Sequence, residues 1–123
     1  MATSGLPDWL AIVDDDLRQV TNNLHGPMPS RSGAAYHCQQ AAEKLVKAVL
    51  VGAGIAFPKT HDIAALVGLV PDGHRLKKAL GGLGKLTPYG VAYRYPAEDE
   101  WEVPTAATLE GWKSEIEAIR STL

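Results

Sequence analysis

The chain has 123 residues, 46% of them hydrophobic and 21% charged, a balance that excludes an intrinsically disordered chain and suits one domain, residues 1–123, with one core. Its single cysteine, Cys38, rules out an internal disulfide and suits a thiol-reducing compartment. No run approaches the ~20 apolar residues of a membrane span and none reads as a secretory leader, so a cytoplasmic protein without membrane association is expected. The net charge of -2 is unevenly spread, with +6 on residues 31–94 and -8 on the flanks. That split allows a basic face for an anionic ligand, or acidic ends that pack beside the middle and neutralise it.

Residues 1–6 read as a loose tail. Pro7 and Asp8 open a helix whose Trp9, Ile12, Val13, Asp16, Leu17, Val20 and Leu24 recur at helical spacing as one stripe. Asp14, Asp15 and Asp16 are placed in its first turns, where acids favour the positive end of the helix dipole. Gly26, Pro27 and Pro29 stop it. Ser30 is the expected N-cap of a second helix from Arg31 to about Ala53, apolar on most sides and hence central, with small residues that allow close helix approach. Glu43 and Lys47 form an i,i+4 pair on it.

After a loop containing Pro58, Thr60 is the expected cap of a short helix through Ile63, Leu66, Val67 and Leu69, ended by Pro71. Another helix is expected from Asp72 or Gly73 through Leu76 and Leu80 toward Leu83, weakened by Gly81, Gly82 and Gly84. Residues 87–104 read as a long, partly ordered loop. Thr105 caps a last helix that buries Leu109, Trp112, Ile116, Ile119 and Leu123. Nothing reads as a strand. The fold class is all-α, an up-and-down bundle of four to five helices with a long ordered loop before the last.

The chemistry is concentrated in the segment Tyr36-His37-Cys38-Gln39-Gln40-Ala41-Ala42-Glu43-Lys44, then Pro58-Lys59-Thr60-His61-Asp62, then Tyr93-Arg94-Tyr95-Pro96. His37, Gln40 and Lys44 stand at i, i+3 and i+7 and share one helical stripe. Imidazole, amide and ammonium together make a donor-rich strip suited to a phosphate or a nucleobase edge. The same groups also suit a plain structural role, with His37 and Gln40 satisfied by facing segments and Lys44 reaching water. His61 fits loop anchoring or ligand contact. Arg94 fits a phosphate clamp beside Tyr95, or a tie from the long loop to backbone carbonyls or Glu43.

These three segments, in this order, resemble the HEPN family, whose pattern is a second helix with "FHxQQAAEK", a "PxTHD" turn and an "aRYP" segment. The resemblance implies a helical bundle that dimerises and works beside a minimal nucleotidyltransferase, with a nucleotide or RNA as ligand. Read from their own chemistry, the candidate ligand contacts are His37, Gln40, Lys44, His61, Arg94 and Tyr95. Some relatives are ribonuclease toxins that use an arginine, four to six residues and then a histidine, and here Arg31 and His37 match that spacing. In that alternative Arg31 stabilises phosphate charge and His37 is the general base toward a ribose 2′-hydroxyl. The pair departs from the family pattern, because it lies at the start of the second helix and no histidine follows His74. Other chemistry is not supported. Gly81, Gly82, Gly84 and Lys85 lack the spacing of a phosphate loop, and Leu86 stands where such a loop needs Ser or Thr. His74, Arg75, Lys77 and Lys78 read as a basic turn. The histidines and Cys38 lack metal-ligand spacing, so neither metal nor cofactor is expected. Homodimer formation is expected because Trp9, Trp112 and the apolar second helix exceed what one thin bundle covers.

Overall fold

The computed structural model describes residues 5–92 and 103–123. Three long helices form its frame: α1 (Leu6–His25), α2 (Arg31–Gly52) and α6 (Ala106–Arg120). Between α2 and α6 lie the short helices α3 (Ile63–Gly68), α4 (Lys77–Gly81) and α5 (Tyr89–Ala92), with a 3-10 turn at Gly84–Leu86. The described residues contain no strand, and the architecture is the expected all-α bundle.

Local chemistry explains the helix ends. Gly5 precedes α1 in extended conformation, and Asp8 accepts a hydrogen bond from the Gly5 N–H at 3.0 Å, one half of a capping box. Helix α1 therefore begins at Leu6, inside the segment read as a tail. Ser30 caps α2 as expected, its Oγ accepting from the Gly33 N–H at 3.0 Å. The far end of α2 closes on Gly54, whose φ is +72°, with the Ile55 N–H donating to the Leu50 carbonyl at 2.9 Å and the Gly54 N–H to Val51 at 3.0 Å. This is the left-handed glycine stop that releases a helix into a defined direction. Thr105 caps α6 by accepting from the Thr108 N–H at 3.2 Å.

Four expectations are corrected. Asp62, rather than Thr60, caps α3, its Oδ1 accepting from the Ala65 N–H at 3.2 Å. Thr60 braces that cap by accepting from the Asp62 N–H at 3.1 Å. No helix starts at Asp72 or Gly73. Residues 71–76 are turns, with the Lys77 ammonium donating to the Val70 carbonyl at 2.6 Å and Asp72 at 2.8 Å, and α4 is a single turn among glycines that disfavour helix. The stretch read as loop from 87 contains α5, since Pro88 at a helix start forfeits no internal hydrogen bond. Residues 93–102 of that stretch lie outside the described residues. The three aspartates do not occupy the first turns of α1; Asp8 is the acid there.

Helix α2 is the centre, lying against α1 along its length and against α3, α5 and α6. Its buried side is built of Ala34, Ala35, Cys38, Ala41, Ala42, Leu45, Val46, Ala48 and Val49. This wide apolar surface is covered within one chain. Trp9 packs edge-on against Phe57 and Trp112 tilts against Tyr89, so these features no longer argue for a dimer by needing cover. Ile12, expected in the buried stripe of α1, is 42% exposed, and Leu10 is buried instead. Burial pushes the Cys38 thiol up to about 12, which leaves it an inert core group.

Candidate functional site

The face of α2 opposite its alanines is polar. At 100° per residue, Gln39, Glu43, Lys47, Gln40, Lys44 and His37 fall in one sector of roughly 160°. Two buried carboxylates organise this strip, one from each side.

Asp16 comes from α1. It stands three residues from Val13 and four from Val20, on the stripe that α1 buries, so the packing that hides those valines also hides its carboxylate. The antiparallel neighbour supplies the partners. His37 Nδ1 donates to Asp16 Oδ1 at 3.0 Å and Lys44 Nζ to Oδ2 at 3.1 Å. Their separation of seven residues is two helical turns, which lets both reach one carboxylate from the same side.

Glu43 comes from α2 itself and is 2% exposed. Its Oε1 accepts from Gln39 Nε2 and from His61 Nδ1, both at 3.0 Å, and its Oε2 from Lys47 Nζ at 2.9 Å. Burial by itself raises the pKa of this carboxyl, but hydrogen bonds from Lys47, Gln39 and His61 outweigh it and hold Glu43 below the usual carboxylate range. Gln39 is fully buried, and its Oε1 in turn accepts from Gln40 Nε2 at 2.6 Å. Lys47 also lies 5.8 Å from the centre of the Phe57 ring, within cation–π range. Among the described residues no buried side-chain nitrogen or oxygen lacks a partner.

Both histidines are therefore presented in one way. A carboxylate oxygen can only accept, so each Nδ1 carries the hydrogen and each Nε2 is left for other partners. The His61 side chain is 80% exposed and that of His37 27%. Lys44 and Lys47 are matched by Asp16 and Glu43, so the strip carries charges of both signs in equal number. Helix α5 closes over one end, since a Cβ placed on Gly90 would lie 2.9 Å from both Cδ and Oε1 of Gln39.

Comparison with protein families gives a match to the HEPN domain over residues 6–122. The chain belongs to the HEPN family. That family is associated with nucleotide binding and with ribonuclease activity, and its members often pair with nucleotidyltransferases. Comparison with curated proteins and with solved structures returned no match.

On the HEPN frame, His37, Gln40 and Lys44 share the strip as their spacing predicts, and His61 joins it from the loop before α3 through Glu43. Arg94 and Tyr95 lie outside the described residues. Arg31 is not brought to His37. Six residues place it about 120° from His37 around α2, and its Nη1 donates to the Pro104 carbonyl at 3.4 Å, whereas His37 faces α1. Asp16, Gln39 and Lys47 were not foreseen as site residues. The register of Asp16 with Val13 and Val20 was the available signal, since its two neighbouring aspartates fall outside that stripe. Among the described residues, no three His, Cys, Asp or Glu side chains gather as a metal site, and no helix is long and apolar enough to cross a membrane.

Proposed function

We propose that this HEPN domain is a non-catalytic binding module that holds a nucleotide or a stretch of RNA on the polar strip of α2. The observation that carries this reading is the pair of imidazoles pinned through Nδ1 to buried carboxylates, with Gln40 between the two networks. Nε2 of His37 and of His61 meets the ribose or base edge, Gln40 reads a base edge, and Lys44 contacts phosphate. Because Lys44 and Lys47 already answer Asp16 and Glu43, the excess positive charge comes from Arg94, with Tyr95 beside it as a stacking surface. The module works in the cytoplasm as a homodimer beside a minimal nucleotidyltransferase.

The ribonuclease alternative needs Arg31 and His37 on one phosphate. Their separation around α2 and their different partners argue against it within one chain.

Titration calorimetry with AMP and with a short single-stranded RNA tests the reading. Weak, salt-sensitive binding is expected, falling roughly tenfold on Lys44→Ala or Arg94→Ala, with the RNA left intact in metal-free buffer. Lys44→Ala acts twice, removing a cation and leaving Asp16 short of a partner. Equal affinity in all three proteins rejects the strip. RNA cleavage that disappears in a folded His37→Ala variant establishes the ribonuclease instead. Assembly is read separately by light scattering at micromolar concentration, where a mass twice the 13.1 kDa of the chain is expected, and a concentration-independent monomer mass removes the homodimer.

A further inference from the structure

A cleft of about 580 Å³ separates the α4 turn from the last two turns of α6, away from the α2 strip. Its floor is aliphatic and flat, formed by Ala79, Gly82, Ala118 and Ile119. A Cβ on Gly82 would stand 3.2 Å from Glu115 Oε2 and 3.3 Å from the Ala79 carbonyl, so glycine keeps that part of the floor at backbone level. Arg75 and Lys78 border the floor, three residues apart. Arg75 is steadied by one hydrogen bond from Nη2 to the Thr122 carbonyl at 3.0 Å. Lys78 is exposed and makes no hydrogen bond or ion pair among the described residues. In the opposite wall Glu115 is already matched by Lys85 at 3.0 Å. The cleft thus joins an apolar floor to two cations that no carboxylate among the described residues answers.

We propose that this cleft is the docking site for an acidic peptide segment of a protein partner, with one apolar side chain of that segment seated on the floor. Charge complementarity selects the occupant. One or two carboxylates satisfy Arg75 and Lys78, and a side chain of leucine or tryptophan size covers Ala79, Ala118 and Ile119, the combination of apolar core and charged rim found in protein interfaces. Nucleic acid fits less well. Among the described residues the lining holds no aromatic ring on which a base stacks, two cations are few for a phosphate backbone, and Glu115 places a carboxylate in the path of further phosphates. The surface uses none of the residues of the α2 strip, so each reading can fail without the other.

The probe is a fluorescein-labelled synthetic peptide, Asp-Glu-Leu-Glu-Trp-Asp, which unites four carboxylates with apolar side chains and does not occur in this chain. Fluorescence anisotropy with the full chain should show saturable binding that weakens about tenfold with Lys78→Glu and, separately, with Ala118→Phe, which fills the floor without altering charge. Lys44→Ala should leave it unchanged. Both cleft positions are exposed, so the two variants should melt with the wild type, and Lys78→Ala, with a smaller loss, checks the charge effect independently. Absence of saturable binding overturns the proposal. Binding that responds to Lys78→Glu but ignores Ala118→Phe is attraction without docking and overturns it too. Displacement of the peptide by a ten-nucleotide RNA, whose own binding falls with the same variants, assigns the cleft to nucleic acid instead.

Discussion

Replacing Glu43 with glutamine is expected to remove about 3 kcal/mol of folding stability, the scale of breaking a buried ion pair by deleting one partner. The side chain keeps its shape, so no cavity is made. What changes is that Lys47, whose side chain is 12% exposed, loses its counter-charge, and the new amide turns a donor toward donors from Gln39, His61 or Lys47. Urea denaturation at neutral pH reads the loss directly, and the melting temperature should fall by about 10 °C. A loss below ~1 kcal/mol would mean that Glu43 is not the hub of the network. The pH dependence has a defined sign. Glu43 is held below its ordinary value in the folded chain, while the unfolded chain titrates near 4.3. Its ionised form therefore stabilises the fold above about pH 4.3, and that contribution disappears as pH falls through the folded value. The wild type should lose stability steeply below about pH 4.3, and Glu43→Gln, with no proton to take up there, should show a shallower slope.

Gly90→Ala should cost about 2 kcal/mol, the penalty of forcing one carbon into a packed contact. The added methyl would stand 2.9 Å from the Gln39 amide, and that amide has no room to turn aside. Its Nε2 is committed to Glu43 and its Oε1 to Gln40. Either α5 lifts from α2 or the chain of hydrogen bonds opens. A double-mutant cycle separates this from a general effect on α5. In a Gln39→Ala background the same Gly90→Ala change should cost much less, because the colliding group is gone. Equal costs in the two backgrounds would place the strain elsewhere, and no cost in either would show that α5 does not close on Gln39.

The residues that could be read from the sequence are those whose role is settled within a few positions of the chain. Ser30 and Thr105 cap their helices because the donors they satisfy lie three residues on, and the stripe of His37, Gln40 and Lys44 follows from helical geometry alone. Asp16 could not be assigned in that way. Its register with Val13 and Val20 puts it on the buried stripe of α1, but its partners His37 and Lys44 come within reach only where α1 meets α2. His61 reads as a loop anchor before a ligand contact, but the group it is anchored to could not be named, because its bond to Glu43 spans 18 residues and a loop whose path no local rule predicts. Helix α4 was overestimated for a related reason. Leu76, Leu80 and Leu83 are all buried as a helix would bury them, but a turn, a short helix and a second turn deliver them to the core equally well.

The alanines that line the buried side of α2 have a mechanical consequence. Helices that meet through methyl groups are held at a separation fixed by their backbones, with little side-chain length left to absorb error. The gap between Asp16 and the pair His37 and Lys44 is thus a dimension of the scaffold, more than a matter of rotamer choice. A larger residue at the fully buried Ala41 or Ala48 would jack α1 away from α2 and open that gap. Tolerance of this strip to drift is therefore governed by the narrowest side chains in the core, at positions that present no chemistry of their own.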